Sequence, residues 1–297
     1  MESRLGEFAA LLTVLCWTAS AHFFETASKR SDSMTVNILR LYIGFFFFCL
    51  FFLVTGRMPI PINATGKAWL FLSLSGIVGF ALGDYSLFYA FSEIGARISL
   101  LIMAAVPPIT ALFGWLVMGE TLVLRHFTGM GLTISGIVIV LLRRRPGQRR
   151  IRLSHPVKGV LLALGGALGQ AVGLVLSKYG MGEYDAFYST QIRVVAGIGG
   201  TTAILFFSGR LRRAAAVLKS RKDMFLISMG ALLGLFLGVS FSLLAVQHTQ
   251  VGVAATIMAI VPITIIVPSV LIFKEKVTLR EVAGAVLAVS GVALLFL

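Results

Sequence analysis

Charge is scarce in this chain, and acid is scarcer than base. Of 297 residues, 13% are charged and only 12 are acidic. Soluble domains carry about 25% charged residues, so an ordinary water-soluble globule is excluded. Disorder is excluded as well, because 58% of the chain is apolar and disorder needs the opposite balance. Cysteine is nearly absent: Cys16 and Cys49 both sit inside apolar runs, which leaves no disulfide framework and no metal-type cluster. The four histidines, His22, His126, His155 and His248, lack ligand spacing, and neither a Gly-rich phosphate cradle nor an HExxH-type helix occurs. A membrane enzyme would need a nucleophile with its base, or a metal. These gaps therefore argue against an enzyme, against any cofactor and, for this chain by itself, against an ATP-driven pump.

What the chain has in abundance is long apolar runs. A bilayer-spanning helix needs about 20 apolar residues. Ten such runs fall near 6–28, 34–55, 67–91, 96–118, 124–142, 156–178, 185–208, 223–246, 251–273 and 279–297. Barrel strands would alternate apolar and polar residues, whereas these runs are continuous. The expected class is an all-α membrane protein of ten transmembrane helices. Arg4, an apolar core and Ala19-Ser20-Ala21 superficially fit a signal peptide. The first run is nevertheless expected to be retained, because it has a partner later in the chain. A net charge of +14 would point a soluble chain to nucleic acid, but here the basic residues sit in short loops between apolar runs. The partners expected are therefore a small-molecule substrate, coupled protons and membrane lipids, with no nucleic acid, for a monomer or weak dimer.

The sequence repeats itself. At an offset of 155, Gly79–Leu142 aligns with Gly234–Leu297 without a gap, and 18 of 64 positions are identical. Ile102-Met103-Ala104-Ala105-Val106-Pro107 falls on Ile257-Met258-Ala259-Ile260-Val261-Pro262, and Glu120, Arg125, Gly129 and Ser135-Gly136 fall on Glu275, Arg280, Gly284 and Ser290-Gly291. At an offset of 153, Arg40 meets Arg193 and Trp17 meets Gln170. The division read here is a first half, 1–142, a basic linker, 143–155, and a second half, 156–297. Five spans per half would start the second half on the opposite side of the bilayer, making the halves inverted repeats. That arrangement belongs to secondary transporters with a site at the repeat interface. Alternating directions put 19 basic residues on one side and five on the other. The basic side is expected to be cytoplasmic, with both termini outside.

These features carry a resemblance. An Arg early in the second helix of each half, a Pro-containing fourth helix ending in Gly119-Glu120 or Lys274-Glu275, and a following Leu-Arg…Gly…Ser-Gly helix together resemble the drug/metabolite transporter superfamily, in particular its ten-helix EamA group. The resemblance spans the whole chain. It implies a carrier of a bacterial inner membrane, usually an exporter of amino acids, related metabolites or drugs, with a cavity lined mainly by helices 1, 3, 4, 6, 8 and 9. Relatives that carry nucleotide sugars or sugar phosphates have basic motifs in later helices. The ninth run here, Val251 to Phe273, has no Lys or Arg. An exporter of drugs, amphiphiles or lipids on the same fold is the alternative.

Candidate residues follow from the cost of polarity at membrane depth. A charge there costs about 2.5–3.5 kcal/mol, so ionisable residues within spans mark function or a specific partner. His22, Glu25, Arg40, Asp84 and Arg193 are such residues. At 1.5 Å per residue from each span centre, His22, Arg40 and Asp84 share a depth about 7–8 Å to the cytoplasmic side. Arg193 falls on the outer side with no acid at its depth. Two readings of the inner group stand side by side: Asp84 neutralises Arg40, or Asp84 and His22 face the cavity and bind an ammonium or a proton. The candidate substrate-binding residues are Trp17, His22, Asp84, Tyr85, Tyr89, Gln170, Ser240 and Thr256, with Trp17 and Gln170 paired by the repeat. Pro107 and Pro262 each remove a helical hydrogen bond and are expected to kink or gate the cavity. Glycine stripes at Gly76, Gly79, Gly83 and at Gly230, Gly234, Gly238 are expected to allow close helix packing. Glu120 and Glu275 stand where Arg125 and Arg280 come within pairing reach, as structural clasps.

Overall fold

The computed structural model describes residues 2–118, 121–144, 151–209, 217–249 and 251–296. Glu120, and with it the clasp to Arg125, lies outside them. The first half runs α1 (Glu2–Arg30), α2 (Ser33–Val54), α3 (Gly66–Ser75), a π-helical stretch (Gly76–Gly83), α4 (Asp84–Met103), α5 (Val106–Met118) and α6 (Leu124–Leu141). The second runs α7 (Val157–Met181), α8 (Ala186–Phe207), α9 (Arg221–Gly230), a second π stretch (Ala231–Val239), α10 (Ser240–His248), α11 (Val251–Met258), α12 (Val261–Thr264), α13 (Ile266–Leu271) and α14 (Leu279–Phe296). Between the halves, β1 (Leu142–Arg144) pairs antiparallel with β2 (Ile151–Leu153). The basic linker therefore includes a small hairpin.

Among the described residues, nine helices are long and apolar enough to cross a bilayer, and Val106–Leu116 is a shorter apolar helix. One of the nine, Gly66–Met103, joins the third expected span to the start of the fourth. Gly95 divides it at φ 80°, ψ 159°, a conformation open essentially to glycine alone. Large apolar side chains such as Leu116, Phe206 and Phe207 are exposed. An apolar exterior on that scale is suited to lipid.

Local chemistry explains the boundaries. Asp32 caps α2 by accepting from the Thr35 amide at 3.3 Å, and its counterpart Asp185 caps α8 by accepting from Phe187 and Tyr188 at 2.8 and 3.0 Å. Such caps satisfy amides that the helix itself leaves unpaired. Before α14, Thr278 and Glu281 form a reciprocal capping box. Both proline-bearing spans are interrupted at matching places, Ala104-Ala105 and Ala259-Ile260, just before Pro107 and Pro262. Proline supplies no amide donor, so the turn ahead of it loses its bond.

The repeated Gly and Ser-Gly positions are where α6 crosses α14. A Cβ on Gly129 would lie 2.7 Å from the Gly291 carbonyl oxygen, and one on Gly136 would lie 2.5 Å from that of Gly284. Two backbones in direct contact thus tie the halves together at one edge.

Candidate functional site

Glycines also decide which side chains meet at the centre. The first π stretch lies against α7: a Cβ on Gly169 would sit 2.7 Å from the Gly83 Cα, and one on Gly173 3.2 Å from that of Gly79. This close approach sets Gln170 beside Asp84, the first residue after the π stretch. On another face of the same stretch, Gly76 admits the Arg193 backbone of α8, whose carbonyl oxygen would lie 2.1 Å from a Cβ there. The second half mirrors the arrangement on α1. A Cβ on Gly230 would meet Phe24 at 2.6 Å, one on Gly234 would meet Ser20 at 2.8 Å, and one on Gly238 would meet Trp17 at 2.6 Å. Each half therefore lends its first helix to the other half's glycine stripe.

These contacts border a cavity of about 230 Å³. Its walls include Trp17, Phe24, Arg40, Phe80, Asp84, Phe88, Met103, Pro107, Thr110, Gln170, Arg193, Val239, Ser242, Met258 and Pro262. Most of that lining is apolar, with a few placed polar groups, as ligand pockets generally are. Arg40, Asp84 and Arg193 are buried, at 4%, 5% and 3% exposure. Arg40 donates through Nη2 to one Asp84 oxygen and through Nε to Asn37 at 3.0 Å, while Gln170 donates to the other Asp84 oxygen. Asn37 donates in turn to the Phe80 carbonyl at 2.9 Å. The guanidinium of Arg40 lies 4.8 Å from the centre of the Phe88 ring, and that of Arg193 lies 4.4 Å from the centre of Phe80. Asp84 pairs with Arg40 and also lines the cavity, whereas His22, its partner in the second reading, is not on the wall.

Of the residues expected at the site, Trp17, Asp84, Gln170, Pro107 and Pro262 stand on the wall. The others stand elsewhere among the described residues. His22 is stacked on Phe273 at 4.3 Å, with Nδ1 3.7 Å from Glu25. Tyr85 packs against the cluster around Phe24 and Phe88. Tyr89 accepts a hydrogen bond from Lys158, whose ammonium sits 4.2 Å from the ring centre and also donates to Glu93 at 2.8 Å. Ser240 is buried, and Thr256 is half-buried on α11 beside the cavity-lining Ala255. Arg193, Thr110 and the ring of Phe80 join the wall without having been named as ligands. For Arg193 the signal was in the sequence, as the repeat partner of Arg40. Glu275 finds Arg97, at 3.5 Å, in place of Arg280, and Arg97, two residues after the Gly95 break, also reaches Glu281 at 3.0 Å.

The family model described as "EamA-like transporter family" matches residues 4–142 and again 157–297. The chain is similar to "Uncharacterized transporter YvbV" of Bacillus subtilis (strain 168), 25% identical over 228 residues, which covers 72% of this chain and 69% of that protein. It is also similar to "Solute carrier family 35 member G1" of Mus musculus, 27% identical over 295 residues, covering 96% of this chain and 76% of that protein. A solved structure titled "Crystal structure of protein" aligns with a TM-score of 0.67 over 97% of this chain and 95% of its own, at 18% identity, a likeness of fold.

Proposed function

The chain belongs to the EamA-like transporter family and is a multi-pass membrane transporter, and from that premise we propose that it is a secondary carrier exporting small organic metabolites, amino acids among them, across a bacterial inner membrane. The observation that carries this reading is the cavity itself. Trp17, Arg40 and Asp84 from the first half and Gln170, Arg193 and Ser242 from the second share one cavity, flanked by the two broken proline helices. A site between two repeats, with irregular backbone facing it, is what alternating access requires.

In this proposal the halves, 1–142 and 156–297, are inverted repeats, the linker 143–155 is cytoplasmic, and both termini face outward. Ion pairs between elements concentrate on the face proposed as cytoplasmic. Arg97 meets Glu275 and Glu281 across the halves, and Arg30 meets Asp223 at 2.6 Å. Breaking and re-forming these pairs would accompany opening on that side. Proton coupling forms part of the proposal through Asp84, on the cavity wall, and the buried His22. The names of the family and the relatives favour a transporter over an enzyme. The mainly apolar wall is the observation favouring a drug or amphiphile exporter as second reading.

The test is counterflow by the purified full-length protein in liposomes, with a panel of amino acids, in the presence and absence of an imposed pH gradient. Accumulation of at least one amino acid is expected. A response to the gradient supports proton coupling. Selective movement of amphiphilic dyes, without any amino acid, would move the assignment to the second reading.

A further inference from the structure

Among the described residues, the second arginine of the cavity has no acid of its own. Arg40 and Arg193 are repeat equivalents, each on the second helix of its half. Arg40 is satisfied by Asn37 and Asp84. The position corresponding to Asp84 in the second half is Val239, which lines the same cavity and offers no charge. Arg193 lies over the Phe80 ring, and among the described residues its Nε has no hydrogen-bond partner. Among the described residues Asp84 forms no hydrogen bond or ion pair with Arg193; its two oxygens accept instead from Arg40 and from Gln170. Among the described residues, the ionisable side chains on the wall are thus two guanidiniums and one carboxylate. A buried charge without a partner is costly, and an apolar surrounding strengthens whatever opposite charge arrives.

We propose that Arg193 anchors a carboxylate of the transported substrate, which occupies the role that an acid at position 239 would have had. This rests on the cavity being the substrate site, and it deepens that reading by naming the substrate class: a small carboxylic acid, with or without an amino group, whose apolar remainder packs on Phe80, Trp17 and Met258. A planar guanidinium fork suits a carboxylate geometrically. A single negative charge brings the wall to neutrality, whereas a phosphate dianion would overshoot it. An amine lacking a carboxylate meets a net positive wall and is rejected.

The experiment uses the full-length protein in detergent and three probes with the same ring and chain: phenylalanine, 3-phenylpropionate and 2-phenylethylamine. Binding is read by isothermal titration, and counterflow of phenylalanine is measured in parallel. The two acids should bind wild type, and the amine about tenfold more weakly or worse. Arg193→Gln should weaken binding of both acids by about tenfold or more while its melting temperature holds or rises, since a lone buried cation has been removed. Arg193→Lys should keep part of the binding. Equal binding of the amine, or Arg193→Gln binding the acids like wild type, would overturn the inference and leave the transporter reading standing if counterflow persists. A sharp fall in melting temperature for Arg193→Gln, with acid binding not restored by Arg193→Lys, would mark Arg193 as structural and also overturn it. Neither binding nor counterflow of any probe would remove both.

Discussion

Asp84 is gripped from both halves of the chain, by Arg40 on α2 and by Gln170 on α7. Taking away one member of a buried ion pair strands the other, at about 3–5 kcal/mol. Asp84→Asn is therefore expected to destabilise the detergent-solubilised protein by about that much, read as a lowered melting temperature. Adding Arg40→Gln should recover part of the loss, and full stability in Asp84→Asn alone would mean that the pair contributes nothing. Trp17 and Gln170 differ from Asp84 in being only half-buried, because one side of each faces open cavity. Trp17→Ala and Gln170→Ala are expected to reduce transport more than stability, measured as initial uptake at matched expression. Wild-type uptake in both would place the substrate elsewhere.

At the scale of elements, the spans are shaped by where a Cβ is impossible. Gly95 breaks the helix between the third and fourth spans at positive φ, and its missing Cβ leaves room for Glu25, which would otherwise be 3.2 Å away. Gly95→Ala should cost about 1–3 kcal/mol through backbone strain. Gly131, on α6, provides the control, since nothing lies within 4 Å of a Cβ there. Gly131→Ala should be neutral or stabilising by up to about 1 kcal/mol, the ordinary helix-propensity gain. Thermal unfolding of the two variants side by side decides the point; equal effects would show that φ at Gly95 is not what makes glycine necessary. The two π stretches occupy the same place in each repeat, followed in one half by Asp84, on the cavity wall, and in the other by the buried Ser240. Short π segments are rare in helices and recur at functional sites.

For the whole molecule, orientation rests on the distribution of basic loops. With 19 Lys and Arg on one side and five on the other, a reporter fused near Lys219 is expected to read cytoplasmic, and one at the C-terminus external. An external signal near Lys219 would invert the topology and leave the helix packing untouched. The same inversion would exchange the side closed by Arg97–Glu275 and Arg97–Glu281, and with it the direction in which the cavity opens first.

Composition, run length and the 155-residue repeat were sufficient for the helical membrane class, the family resemblance and most span positions. Lipid forces every backbone amide into a helix, so a span is legible as continuous apolarity. The helical rise also brought Arg40 and Asp84 to one depth, where they pair. Depth is not direction, however. A helix that is apolar all round does not announce which face looks inward, so His22 turned to Phe273 and Tyr89 to Lys158 instead of the cavity. The π stretch compounds this, because extra residues in a turn rotate everything after Gly83, including Tyr85 and Tyr89, by an amount no 3.6-residue period contains. Only tertiary structure decided that Arg193 shares a chamber with Asp84. That placement depends on Gly76 letting the α8 backbone come closer than any side chain would allow.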